Sequence, residues 1–549
     1  MRMKAFTAVA ASLCLAAWAA ADEGHSHDHG EKLGKVDFPV TCNAAAQEAF
    51  QRGAALLHSF QYEDAESAFA AVAAADPTCA MAYWGVAMSL YHPVWAAANP
   101  TAAPTAADLK KGAEALAKAK AVGARSDRER DYLAAVETFY KDADTVDHAT
   151  RAQAFETAME RLSARYPKDR EAAIFYAVAL LGNAPPSDKS YERQKKAAAI
   201  LNGILPQAPE HPGVAHYLIH SFDYPALAEL ALPAARSYAK IAPSSPHALH
   251  MPSHIFTRLA LWDESIASNQ ASSEAARGRM ARLHPGATSF EDLHAQDYLA
   301  YAYLQGGQDG KAKAVLDTVA AVRELDEKQF AAAYALAAVP ARYALERRHW
   351  SDAAGLAVPP AFPWEKFPYA EAHTWFARAI GAARSGDVAG ARADVERLTA
   401  IQKALADAKS NYWAGQVEIQ RTAAAAWLAH AERKDDDAVS LARTAADLED
   451  KTEKHPVTPG SIVPARELLA ELLMDLKRPA DALAEYEASL KVAPGRWNAE
   501  SGAARAADRA GDHAKARAHY ASLVELGKAS DPPRADLKAA RAYLASASR

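Results

Sequence analysis

A spacing of 34 residues recurs along this 549-residue chain and restricts its possible folds more than any other feature. Ala482 and Ala516 are 34 apart, and so are Tyr486 and Tyr520, each tyrosine standing four after its alanine. Pro494 closes the first of these units. Near the N-terminus Gly53, Leu56, Ala65, Phe69 and Pro77 repeat the scheme, and weaker copies centre on Ala197, Ala231, Ser265, Ala312, Ala353, Ala391 and Ala438. The segments between are rich in Ala, Leu, Glu, Lys and Arg, which favour helix, and no sustained period-two alternation interrupts them. A period of this length in helix-forming sequence marks a helix–turn–helix unit. One such unit cannot bury its apolar face alone, so the units must stack.

The first residues read as an export signal: Arg2 and Lys4, an apolar run from Ala5 to Ala20, and an A-x-A cleavage site at Ala19–Ala21. That run is short for a membrane span of about 20 residues, and no later segment of the sequence is long and apolar enough to be one. The expected location is periplasmic or secreted, with no membrane span after cleavage. Net charge is -6, so no basic field would attract nucleic acid. Cleavage would remove Cys14 and leave Cys42 and Cys79. In the repeat register both sit just before first helices, starting near Ala46 and Ala80, and an oxidising compartment favours their pairing as a disulfide.

The histidines follow the same register. His216 and His220 in "HYLIH" lie 34 residues before His250 and His254 in "HMPSH". Residues four apart return to nearly the same helix face. His216, His220 and Asp223 therefore form one stripe, and His247, His250 and His254 another. Equivalent positions of adjacent first helices point the same way, so the stripes should meet across one seam. Pro252 disturbs the second: either a helix begins there or it kinks there. By the same register His58 and His92 are equivalent, with Trp84 and Trp95 nearby. These four are expected to line a binding surface near the N-terminal end, although tryptophan on an apolar helix face more often packs in a core.

The pattern A-x3-F…P resembles the tetratricopeptide repeat. The strings "FQRGAALLHSFQYEDAESAF", "CAMAYWGVAMSLYHPVW" and "HPGVAHYLIH…HALHMPSHIF" are similar to a family of exported bacterial tetratricopeptide-repeat proteins. The resemblance implies an all-α, tetratricopeptide-like helical-hairpin solenoid wound into a superhelix, and export. It implies no reaction. The expected organisation is a signal peptide at 1–21, a polar His-containing leader at 22–42, N-terminal repeats at 43–98, a helical insertion with connecting helices at 99–168, His-rich repeats at 169–275 and C-terminal repeats at 276–549. The pattern lapses between about 99 and 150, hence the insertion.

Catalytic signatures are missing from the sequence: there is no G-x-S-x-G, H-E-x-x-H, phosphate loop, dinucleotide fingerprint or C-x-x-C-H. The first functional expectation is an exported scaffold that binds a peptide or protein partner in the groove lined by its first helices. The alternative is a metal protein, with catalysis at its histidine-rich site left open and with zinc or copper held by His216, His220, Asp223, His247, His250 and His254, since neutral imidazole is the commonest side-chain ligand for both ions. Packing histidines bonded to carbonyls and carboxylates would look the same in sequence. His25, His27 and His29 in the leader read as a solvated tail with at most loose capture of metal.

Overall fold

Helix formers with a 34-residue punctuation give helical hairpins, and a computed structural model shows how they stack. It describes residues 30–96, 103–359 and 362–546, the side chains of 95 and 96 excepted. The expected export signal, His25, His27, His29 and the Trp95 side chain lie outside the described residues. The described residues from Lys32 onward form one compact unit. Among the described residues helix follows helix from Ala44–His58 to Ala535–Ser546, the sole strand-like pairing being an isolated bridge between Thr288 and Leu325. No described helix is long and apolar enough to cross a membrane.

Ala44–His58 packs on Tyr62–Ala75, Arg170–Gly182 on Glu192–Ile204, Pro212–Phe222 on Leu232–Ile241, and so on to Trp497–Ala510 with His513–Leu526. Each second helix then packs on the first helix of the next hairpin. This is an all-α, tetratricopeptide-like hairpin solenoid. The hairpin turns share a device: one residue in the left-handed region ends the first helix, as at Phe60 (φ 55°), Ala260 (56°), Arg348 (56°) and Lys477 (59°). Side chains cap many first helices, Asn43 accepting from the Ala46 N–H and Asp169 from the Ala172 N–H. Small residues let helices approach closely. A Cβ on Gly85 would stand 2.2 Å from the Phe69 ring, so only glycine fits there.

The segment expected to be an insertion is part of the array. Ala106–Val122 packs on Ala80–Ser89 as its second helix, and Asp127–Tyr140 pairs with His148–Arg165, which packs on Arg170–Gly182. The sequence signal lapsed because the stretch from Leu90 to Thr105 replaces a short turn such as Ser59–Gln61 and displaces the register. A second displacement follows the histidine stripes: helix Trp262–Leu283 has 22 residues where Leu232–Ile241 has 10.

Cys42 and Cys79 form a disulfide, their Cα atoms 4.8 Å apart, at the N-terminal ends of neighbouring first helices. Buried apolar residues gather in two clusters, one from Leu33 to Phe256 and one from Trp262 to Ala540. The histidine-bearing helices stand where these clusters adjoin. Residues 450–464, between helices Asp435–Glu449 and Ala465–Asp475, form a long connection that runs back over the first helices. Arg342 donates to the Ser461 and Gly460 carbonyls at 2.7 and 2.8 Å and to Thr458 Oγ1 at 2.7 Å. Tyr298 donates to the Pro456 and Thr458 carbonyls, Tyr412 donates to the Glu453 carbonyl, and Lys454 donates to Asp223.

Candidate metal centre

The register of the repeats does bring the two histidine stripes together. His216, His220 and His247 form one set and His250, His254 and His294 a second, the ligand atoms of each set lying within 4.8 Å of one another. A helix begins at Pro252, with the proline in its first turn. Pro246–His250 and Pro252–Arg258 join through Met251, which keeps helical dihedrals, and His250 still turns inward.

Each imidazole is aimed by what its far nitrogen bonds. His216 Nδ1 lies 2.7 Å from the His58 carbonyl, which can only accept, so the proton sits on Nδ1. His250 Nδ1 lies 2.7 Å from Asn269 Oδ1, whose amide is oriented by donating to the Ser265 carbonyl. His254 Nδ1 lies 3.0 Å from an Asp223 carboxylate oxygen. All three therefore turn an unprotonated Nε2 into the cluster. His250 Nε2 and His254 Nε2 face each other at 3.0 Å, and with both Nδ1 atoms protonated neither ring has a hydrogen to give. In the first set, the one lone pair of His216 Nε2 faces His220 Nε2 at 3.1 Å and His247 Nε2 at 3.0 Å. His294 Nε2 is buried with no hydrogen-bond partner.

In the first set a neutral His220 or His247 can donate its Nε2 hydrogen to His216 Nε2. A proton between His250 Nε2 and His254 Nε2, however, would need an imidazolium in a buried site. Burial opposes this, pushing His216 down to about 3 and His220, His247, His250 and His294 well below the ordinary histidine value. His254 is lowered too, burial outweighing its bond to Asp223. Converging lone pairs on neutral imidazoles are a metal-ligand set. Zinc or copper bonds to imidazole at about 2.0–2.1 Å, which puts neighbouring ligand nitrogens about 3.3 Å apart in a tetrahedral shell. The contacts of 3.0–3.1 Å need to open by a few tenths of an ångström, and the wider separations, within 4.8 Å, need to close. The donor set fits such an ion.

Asp223 does not belong in the ligand set where the sequence reading put it. It caps the end of helix Pro212–Phe222, and its oxygens are taken by His254, by Arg258 Nε at 2.9 Å and by Lys454 at 3.2 Å. Burial resists its ionisation, but Lys454, Arg258 and His254 hold the carboxyl well below its usual range. It acts behind His254, fixing that ring's tautomer and direction.

Two residues of the expected N-terminal binding surface, Trp84 and His58, are buried. Trp84 is 2 % exposed, edge-on to Phe38 and Phe175, and belongs to the core. His58 is fully buried. Its Nε2 donates to Glu171 at 2.9 Å, Tyr217 sits 3.0 Å from its Nδ1, and its carbonyl receives His216. His211 takes the other Glu171 oxygen at 2.8 Å. Burial resists ionisation of Glu171, but these two partners hold it strongly acidic. Both imidazoles of this third group are tied to Glu171, leaving only His211 Nδ1 buried and unpaired. His92 lies apart, its ring 4.1 Å from that of Tyr62.

His294, Asn269, Glu171 and Lys454 escaped the sequence reading. His294 had a usable signal: it is 44 after His250, as Tyr298 is after His254, so the lengthened helix Trp262–Leu283 merely shifts the same two positions into a third repeat. A cavity lined by Val94, Leu181, Tyr224, Tyr412, Lys454 and His455 reaches His220 and Asp223.

No family model matches the chain, and no curated protein matches it. Among solved structures it is similar to yeast Tom70, at 12 % identity with a TM-score of 0.33, covering 92 % of this chain and 96 % of that one. It is similar to the P58(IPK) TPR domain at 12 % identity and a TM-score of 0.21, covering 92 % and 99 %. The human IFIT1 dimer with PPP-AAAA matches at 11 % identity and a TM-score of 0.34, covering 76 % and 87 %. Matches at these scores supply neither a site nor a partner.

Proposed function

We propose that this chain is an exported metal-binding repeat protein whose buried histidines take copper or zinc, with the hairpin solenoid as the frame that holds them. The observation that carries this is the pair His250 Nε2 and His254 Nε2, unprotonated and facing each other at 3.0 Å in a dry site. Packing histidines satisfy each other with one donor and one acceptor, as His58 does with Tyr217 and Glu171; this pair cannot. The peptide-scaffold reading has less support. The first-helix face around Asp223, Tyr298 and Arg342, where a partner would lie, is covered by the chain's own residues 450–464.

The test is elemental analysis of the mature chain purified without an affinity tag, before and after reconstitution with copper(I) and zinc(II). Stoichiometric metal is expected, abolished by replacing His220 and His254 together with alanine. A chain that folds, takes up no ion from either solution and melts at the same temperature with and without it would leave the scaffold reading in place.

A further inference from the structure

The six imidazoles are more than one ion needs. Each set of three closes on itself: His216, His220 and His247 share nitrogen contacts of 3.0–3.1 Å around His216 Nε2, while His250 and His254 meet at 3.0 Å beside His294. Each set also has its own anchors, the His58 carbonyl for the first and Asn269 with Asp223 for the second. The sets are adjacent, the His220 and His254 ring centres lying 6.3 Å apart and those of His247 and His250 6.4 Å. Resting on the metal reading above, we infer that the protein holds two metal ions side by side, one per set of three histidines, and that these are copper(I).

Charge decides the second half. All six ligands are neutral, and the nearest carboxylates are already compensated: Asp223 by Arg258 and Lys454, and Glu453 by Lys189 at 2.6 Å. Two divalent ions would leave four uncompensated positive charges in a buried site, whereas two monovalent ions leave two. Burying unpaired charge is costly and the cost climbs with each charge. Three imidazole nitrogens also complete a trigonal shell for copper(I), whereas zinc asks for a fourth ligand. No anionic side chain in either set supplies one.

Titration of the tag-free mature protein with copper(I), held in competition with a chromophoric copper(I) chelator under anaerobic conditions, tests this directly. The wild type should bind two ions per chain. His294→Ala and His247→Ala should each bind one, and the double variant none, with circular dichroism confirming the fold of each. A wild-type stoichiometry of one, which no variant is needed to see, would overturn the pairing while leaving the metal reading intact. Loss of both ions in either single variant that remains folded would overturn it too. Retention of two zinc ions against excess copper(I) would overturn the choice of ion. Failure to take up any metal would instead overturn the reading on which this rests.

Discussion

His254 shows how much a single side chain's surroundings decide. On one side the ionised Asp223 fixes its tautomer; on the other its Nε2 meets His250, itself fixed by Asn269. Loss of such an orienting partner typically weakens metal binding 10–100-fold. Asn269→Ala should therefore lower metal affinity by about that factor, read by chelator competition, with little change in secondary structure. An unchanged affinity would mean His250 is no ligand. The buried histidines also make the metal-free protein acid-sensitive. His216, His373 and His455 are held to about 3 by burial, against 6.5 when exposed. Above 6.5 the folded and unfolded chains carry the same protons on these rings. Between 6.5 and about 3 the unfolded chain binds more, so stability falls as pH falls, by up to about 1.4 kcal/mol per pH unit for each such ring. Melting temperatures of the metal-free protein should hold nearly level from pH 7.5 to about 6.5 and drop steadily below it, and added metal should blunt the drop. A flat profile would show that these rings are not buried neutral.

At the scale of the helices, the repeat spacing made most hairpins legible and brought His216, His220, His250 and His254 into one seam. It failed wherever a helix or turn changed length. Leu90 to Thr105 hid two ordinary hairpins, and the 22-residue helix Trp262–Leu283 hid the third histidine position at His294. Periodicity reports which residues share a face, not which partner an oxygen will choose. Asp223 had the spacing of a ligand and became an anchor because Arg258 and Lys454, the latter 231 residues away, claim it. Trp84 likewise sat in a plausible groove position, but Phe38, from the segment before the first helix, closes over it. The helix contacts give two expectations. Gly85→Ala puts a methyl group against the buried Phe69 ring, and overpacking of this kind costs about 1–3 kcal/mol, measurable by chemical denaturation. Breaking the Cys42–Cys79 link, which spans 37 residues, by changing both cysteines to serine should cost about 3–4 kcal/mol on the chain-entropy model. Equal denaturation midpoints for variant and parent would contradict either estimate.

Across the whole molecule, the centre is built from both ends of the chain. Its six histidines come from residues 216–294, its N-terminal support from His58 and Glu171, and its cover from residues 450–464. Arg342 latches that cover through three bonds to it and is fully buried against Asp297. Arg342→Ala should strand Asp297 at a cost of about 3–5 kcal/mol. It should also expose residues 450–464 to limited proteolysis and speed the stripping of bound metal by a chelator. Unchanged stripping in a folded variant would mean the cover does not guard the site.

The cover also sets an order of events. The six histidines lie within residues 216–294, and the segment over them comes from residues 450–464, far along the chain. On the proposed metal reading an ion would enter before that segment seats. Its later exchange would then be set by how slowly residues 450–464 lift away.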